Sequence, residues 1–512
     1  MTERYVSGIR SYYNLGFLIL TIGLFLGSCA SPRKITPAAK FGAEALKADY
    51  KIFRGVLEES HPSLYWYTSK DSMDHFFDNG FNRIRDSMTV REFRNLLSYT
   101  VSRINCGHTT VSFPRSARKQ ADSAHRKRFP LSIKFWDDSA AVYANLNRAD
   151  TFLKRGTLLT AIDNRSIGFY RDSLFQFISS DGYNLTNKYQ ALSNYNGFGN
   201  IYKNIFGLAD SLTVSYVGSP GIPQTRVLAA YDPRKDSLEE KKPHPRLSRK
   251  ERRQLGILPA DNLQIDTAGK AAVLTLTTFL NGNGIRPLIR KSFRKLRKQD
   301  ISDLVIDVRN NGGGEVNLST LLSSYIVQDK FKLADSLYAV KKKSRYGKYI
   351  NHYARTRLFM CLMSKKQKDG RYHFGYFERH YFKPKKKNHF NGHVYVLIGG
   401  NSFSATTLFV NAVKGLPGVT VIGEETGGGA YGNTAWLIPA VKLPATGLQF
   451  RLPLFRLVQR SDSPKTGRGV FPDIEVRPTL EDIRKGVDPK LEKALELIRE
   501  RNPARLPPAG TG

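Results

Sequence analysis

From Ala271 onward the chain alternates between short apolar runs and longer amphipathic segments, and this alternation constrains the fold more than any other feature. The apolar run "AVLTLTTF" is followed by the helical pattern "GIRPLIRKSFRKLRKQ". The buried-strand pattern "DLVIDV" is followed by a glycine turn and the helical "NLSTLLSSYIV". After an excursion over 329–391 the pattern resumes with "HVYVLIGG", "SATTLFVNAVKG" and "VTVIGEE". Strands that alternate with helices predict a partly parallel α/β core. Three glycine-rich turns follow apolar runs in this core: "DVRNNGGG" (Asp307–Gly314), "GGNSFSAT" (Gly399–Thr406) and "GEETGGGAYG" (Gly423–Gly432). Strand ends are where open α/β folds place their sites. None of the turns has the GxxxxGK[ST] spacing of a phosphate loop, which excludes that reading.

The rest of the chain divides by pattern. Residues 43–125 read as an N-terminal helical subdomain: "ALKADYKIFRGVLEESHP" has helical apolar spacing and stops before Pro62, and Thr89 with Glu92 fits a capping box. Residues 126–235 carry short β-rich runs ("LSIKFW", "AAVYANL", "TLLTAI", "LTVSYV", "RVLAAY"), and 236–262 are charged and aperiodic, an exposed basic connection. The α/β core is assigned to 263–485, and 486–512 to a C-terminal helix and tail.

The first 28 residues form a leader. Arg4 and Arg10 precede an apolar run over Leu15–Leu26 that is too short for a comfortable membrane span, and the run ends in "LGSC" at Cys29. This resembles a bacterial lipoprotein signal. It implies cleavage before Cys29, acylation of that thiol, a tether over 29–42 and export to the cell envelope, on the periplasmic side or at the outer membrane. Cys106 and Cys361 remain, and sequence leaves their pairing open. No cysteine or histidine cluster has metal-ligand spacing, and no cofactor motif is present. The net charge is +36. Its peaks, Lys241–Arg253, Lys341–Lys348 and Lys383–His389, lie between apolar segments and are scattered, which argues against nucleic acid. A solvated basic surface accounts for this charge as well; as partners, anionic lipid, envelope polymers or acidic peptides fit an exported basic protein.

"DVRNNGG", then "SFSAT" before a helix, then "GEETGGG", then "GVFPDIEV" (Gly469–Val476) resemble, in this order, the C-terminal-processing (tail-specific) serine protease family. The upstream "GHTTV" (Gly107–Val111) is similar to the histidine-bearing turn of its tricorn-core-like branch. The resemblance implies a helical N-terminal part, a PDZ-like β domain over 126–235, whose "LKRGTLLTAIDNRSI" has the look of a PDZ core, and a crotonase-like α/β core with a mixed sheet and flanking helices. It implies Ser404 as nucleophile, His108 as general base, and an oxyanion hole from the amides of Gly312 or Gly313 and Ala405, with no metal or cofactor. A serine at a strand-to-helix elbow also fits that role, although serine is a favoured helix cap as well. Two departures stand out. Gly429 occupies the position of the lysine used by the processing branch. Thr466 stands in the turn where the tricorn-like branch has a glutamate, which leaves Glu424 or Glu425 as candidate orienting carboxylates. The implied activity is endoproteolysis of peptides or unfolded protein tails. The alternative is an inactive relative that binds peptides or other envelope ligands.

Overall fold

The computed structural model describes residues 35–114, 127–148, 150–218, 221–235, 260–282, 284–459 and 464–502. The leader, Cys29, most of the basic connection and the end of the chain lie outside them.

Helix α1 (Ala43–Ser60) forms because Leu46, Tyr50, Phe53 and Leu57 recur on one face, which is buried. Ser69 caps α2 (Lys70–Asn82) by accepting from the Ser72 amide at 3.2 Å. Thr89 and Glu92 form the expected capping box on α3 (Val90–Ser102). These helices share one hydrophobic cluster with residues of the 333–457 stretch, including Leu337, Phe450 and Phe455, so the helical part is welded to the core. The segment expected to be a tether is docked from Ile35 on: Ile35, Ala39 and Phe41 pack against this cluster, and Lys40–Phe41 pairs with Met88–Thr89.

The middle of the chain is an antiparallel sheet in the order β1 (Leu131–Trp136), β2 (Ser139–Asn145), β3 (Leu158–Ile162), β4 (Ser211–Val217), β5 (Pro223–Ala229), and Arg165–Ser166 pairs with β3. Helices α4 (Ile167–Phe175), α5 (Thr186–Ser193) and α6 (Gly197–Ile205) complete it around their own apolar cluster.

The third part is a six-stranded sheet: β6 (Asn262–Asp266), β7 (Ala271–Thr275), β8 (Asp303–Asp307), β9 (His393–Ile398), β10 (Val419–Gly423) and β11 (Ile474–Glu475), in that spatial order. Only the β6–β7 pair is antiparallel, so the sheet is mixed. Helices α7 (Ile285–Lys298), α8 (Val316–Ser323) and α9 (Ala405–Val413) cover one face. Helix α10 (Pro489–Arg501) covers the other with Ala494 and Ile498, so the C-terminal helix belongs to this core. Each parallel strand ends in a turn at the same edge. The 329–391 excursion is not idle: its Ser336–Ala339 strand joins Tyr372–His373, Phe455–Val458 and Thr434–Ala435 in a second sheet beside that edge.

Candidate active site

Ser404 sits between β9 and α9 with φ 57° and ψ −122°, a backbone conformation unusual for a residue with a side chain. It occupies the N-cap position, yet its hydroxyl caps no amide of the helix. Instead Oγ lies 3.0 Å from Nε2 of His108. The competing role of structural hydroxyl falls to Ser402, which is fully buried, donates to the Val308 carbonyl at 2.8 Å and accepts from the Gly399 amide at 3.2 Å.

His108 reaches this point because its turn is tied down on several sides. Val111–Ser112 adds a strand to Gln449–Arg451, and the Arg451 amide donates to the Thr110 carbonyl at 3.0 Å. His61, the residue closing α1, accepts the Ser63 amide at Nδ1, which leaves its Nε2–H to donate to the Thr109 hydroxyl at 2.9 Å. The imidazole of His108 packs on Phe403 with ring centroids 4.9 Å apart. That packing explains Gly107, since a Cβ there would stand 2.5 Å from the Phe403 ring. Burial, and then the positive charge of Arg451, push the His108 pKa down to about 3. The ring is therefore neutral near pH 7, the form that accepts a proton.

The glycine loop after β8 approaches the serine closely. Gly313 has φ 92°, and a Cβ there would lie 2.8 Å from the Ser404 Cβ and 3.0 Å from the Ala405 nitrogen. Only glycine fits both the conformation and the space. The Gly313 amide itself donates to Oδ1 of Asn311 at 2.9 Å, so it is occupied. Gly312 is open on its side-chain face and lines the cleft. Ala405 is the first residue of its helix, where an amide has no intrahelical partner.

The two glutamates considered as orienting carboxylates are engaged elsewhere. Glu424 pairs with Lys490 at 2.7 Å. Glu425 accepts from both Nε and Nη2 of Arg468, from the Gly469 amide at 2.6 Å and from Asn184. Neither is a partner of His108. Thr466 accepts from the Arg468 amide at 3.3 Å and braces its own loop.

A carboxylate that sequence reading did not single out lies near the imidazole without bonding it. Asp181, 3% exposed, accepts from the Gly107 amide at 2.8 Å through Oδ1 and from the Gly429 amide at 3.4 Å through Oδ2. Its segment is wedged between the histidine turn and the 467 loop: Gly182 donates to the Asn105 carbonyl at 2.9 Å and Tyr183 to the Gly467 carbonyl at 2.8 Å. One Asp181 oxygen, the Cys106 sulfur and a ring nitrogen of His108 lie within 4.8 Å of one another. Among the described residues, buried Nδ1 of His108 has no hydrogen-bond partner. Burial, only partly offset by the two amides and Arg456, pushes the Asp181 carboxyl up to about 6. This trio has donors a metal could use, but burial pushes the Cys106 thiol up to about 11, against the thiolate a metal requires. Cys106 is buried and Cys361 exposed, and both are free thiols.

Ser404 and His108 open onto a cavity of about 740 Å³. Leu408, Phe359, Phe377, Trp436, Leu437 and Ile438 give it an apolar wall, and Arg451 contributes a cation. The arrangement offers a hydroxyl bonded to a neutral imidazole, the first amide of a helix beside it, a glycine loop lining the cleft and an apolar wall in front, the parts acyl transfer uses.

Residues 270–476 match the family described as Peptidase family S41. No curated protein matches the chain in sequence. Among solved structures, the chain is similar to mature CPAF complexed with lactacystin, with 14% identity, TM-score 0.62 and coverage of 90% of this chain and 98% of that one. Mature CPAF gives 14% identity, TM-score 0.61 and coverage of 91% and 99%. A peptidase-like structure from Parabacteroides merdae gives 17% identity, TM-score 0.46 and coverage of 90% and 99%.

Proposed function

We propose that this chain, whose residues 270–476 match peptidase family S41, is a lipid-anchored, exported serine-type endopeptidase working through an acyl-enzyme on Ser404. The observation that carries the reading is the 3.0 Å contact between Ser404 Oγ and His108 Nε2. Oγ attacks the scissile carbonyl carbon while its proton passes to Nε2. The amides of Ala405 and Gly312 face the developing oxyanion, and the positive end of α9 adds to them. Collapse returns the proton from Nε2 to the leaving amine. A water then repeats the sequence on the acyl-enzyme and frees Ser404.

Asp181 completes the constellation as a positioning residue. It holds the histidine turn through Gly107 and places a carboxylate near the imidazole, where negative charge stabilises the imidazolium formed during attack. The apolar wall of the cleft suits a substrate with a bulky apolar side chain beside the scissile bond. The 126–235 sheet is the PDZ-like part in this reading, and it receives an extended peptide by strand addition. The lipid anchor rests on "LGSC" at Cys29. Among the described residues no helix is long and apolar enough to cross a membrane.

Peptide cleavage by Ser404→Ala and His108→Ala variants tests the reading. Each variant loses about 10³-fold or more, and the double variant is little worse than either single one, because the two groups act as a unit. Retained cleavage in either single variant would overturn it, and the peptide-binding alternative would replace it.

A further inference from the structure

We infer that a basic groove sharing Asn317 with the wall of the cleft receives an acidic stretch of the polypeptide being cut. The inference rests on the peptidase reading and adds a substrate class to it. The groove has a volume of about 510 Å³ and lies between α7, the length of α8 and residues 380–385. Arg286, Arg290, Lys383 and Lys385 line it together with His380, and no carboxylate does. Among the described residues none of the four cations has an ion-pair partner.

The local sequence explains how the charges come together. Helix α7 buries Ile285, Ile289, Phe293 and Leu296, which turns Arg286 and Arg290, four residues apart, onto one outward face. Like charges at that spacing repel and weaken a helix. The 381–385 segment then adds two lysines instead of a compensating acid. It is fixed there by pairing of Tyr381–Phe382 with Phe331–Lys332 and by the Lys385 amide, which donates to the Ser324 carbonyl at 2.6 Å. Two separate elements thus converge four uncompensated cations on one trough.

The location selects the ligand. Asn317 lines both this groove and the cavity at Ser404. It follows directly on the loop carrying Gly312, so a chain held at the oxyanion amides and running past Asn317 enters the trough. Carboxylate side chains along an extended polypeptide meet the four cations there. Charge complementarity of this kind acts on encounter and on KM more than on the chemical step.

The test uses the full-length protein and two fluorogenic peptides identical around an apolar scissile site. One is extended by four glutamates and the other by four glutamines, each made with the extension on either side. The glutamate peptide in one orientation is expected to show roughly tenfold lower KM than its glutamine twin. That preference disappears in about 0.5 M salt, where exposed charges are screened, and in the Arg290→Glu/Lys383→Glu protein. Equal KM values for the twins, or a preference that survives the charge reversal, would overturn the inference. So would a charge reversal that abolishes binding to anionic vesicles and leaves the peptide preference intact, which would make the groove a membrane-facing surface. Fluorophosphonate labelling of the wild-type protein reports separately whether Ser404 is activated. Fluorescence anisotropy of the labelled peptide twins on Ser404→Ala protein tests the groove without turnover.

Discussion

At Ser404 the backbone adopts φ 57°, ψ −122°, and the side chain forgoes the capping bond that serine ordinarily makes at a helix start. The hydroxyl is thereby free for His108, and the elbow holds it against the Gly313 backbone. Asp181 is the residue that sequence reading could not find. It sits in "SSDGYN", where Asp-Gly signals a turn and nothing more. Its importance arises only when the fold brings it against Gly107 and Gly429, 74 and 248 positions away. Asp181→Asn keeps the shape and removes the charge. The account predicts a fall in kcat on the order of 10²-fold with KM nearly unchanged. It also predicts loss of the limb near pH 6 at which Asp181 itself takes up a proton. A purely structural role would lower thermal stability and disturb KM without removing that limb.

At the scale of elements, the parts legible in sequence were those governed by local pattern. The Thr89/Glu92 capping box, the run of α1 stopping before Pro62, and the strand–turn–helix units around Asp307 and Ser404 follow from periodicity and capping chemistry. Pairings between distant segments were not legible. Nothing local announces that Val111–Ser112 will join Gln449–Arg451, or that Lys40–Phe41 will pair with Met88–Thr89 instead of forming a tether. The first of these pairings holds the His108 turn in place, and His61 at the end of α1 adds a second brace. Burial, and then Arg456, push the His61 pKa down to about 3, as burial does for His108. Both rings bind a proton in the unfolded chain near pH 6.5 and refuse it in the folded one. Their contribution is therefore complete above about pH 6.5 and is lost as pH falls toward 3, by up to about 1.4 kcal/mol per pH unit for each ring. Asp181, raised to about 6, acts in the opposite sense between roughly pH 4 and 6 and offsets part of this loss. Urea unfolding is expected to show lower stability at pH 5 than at pH 7.5, and His61→Gln to flatten the slope by about one proton. A slope unchanged by that substitution would show that His61 is protonated in the folded protein.

At the scale of the whole molecule, the site exists only because three parts of the chain meet. The α/β sheet supplies Ser404 and the glycine loop, the helical part supplies His108, and the segment leading into α5 supplies Asp181. The chain as a whole carries 80 Lys and Arg against 44 Asp and Glu. A basic surface and a lipid both attract membranes, and they separate by experiment. Cys29→Ser is expected to release the protein from membranes in high salt and to abolish acyl incorporation, whereas retention in high salt would remove the lipid as anchor. The central claim is that folding joins two side chains 296 positions apart into one nucleophile. Fluorophosphonate labelling with mass mapping measures it most directly. The account predicts a single adduct on Ser404 in the wild-type protein and labelling slowed by about 10³-fold or more in His108→Ala. No adduct on Ser404, an adduct on Ser402 instead, or labelling of His108→Ala at the wild-type rate would contradict it.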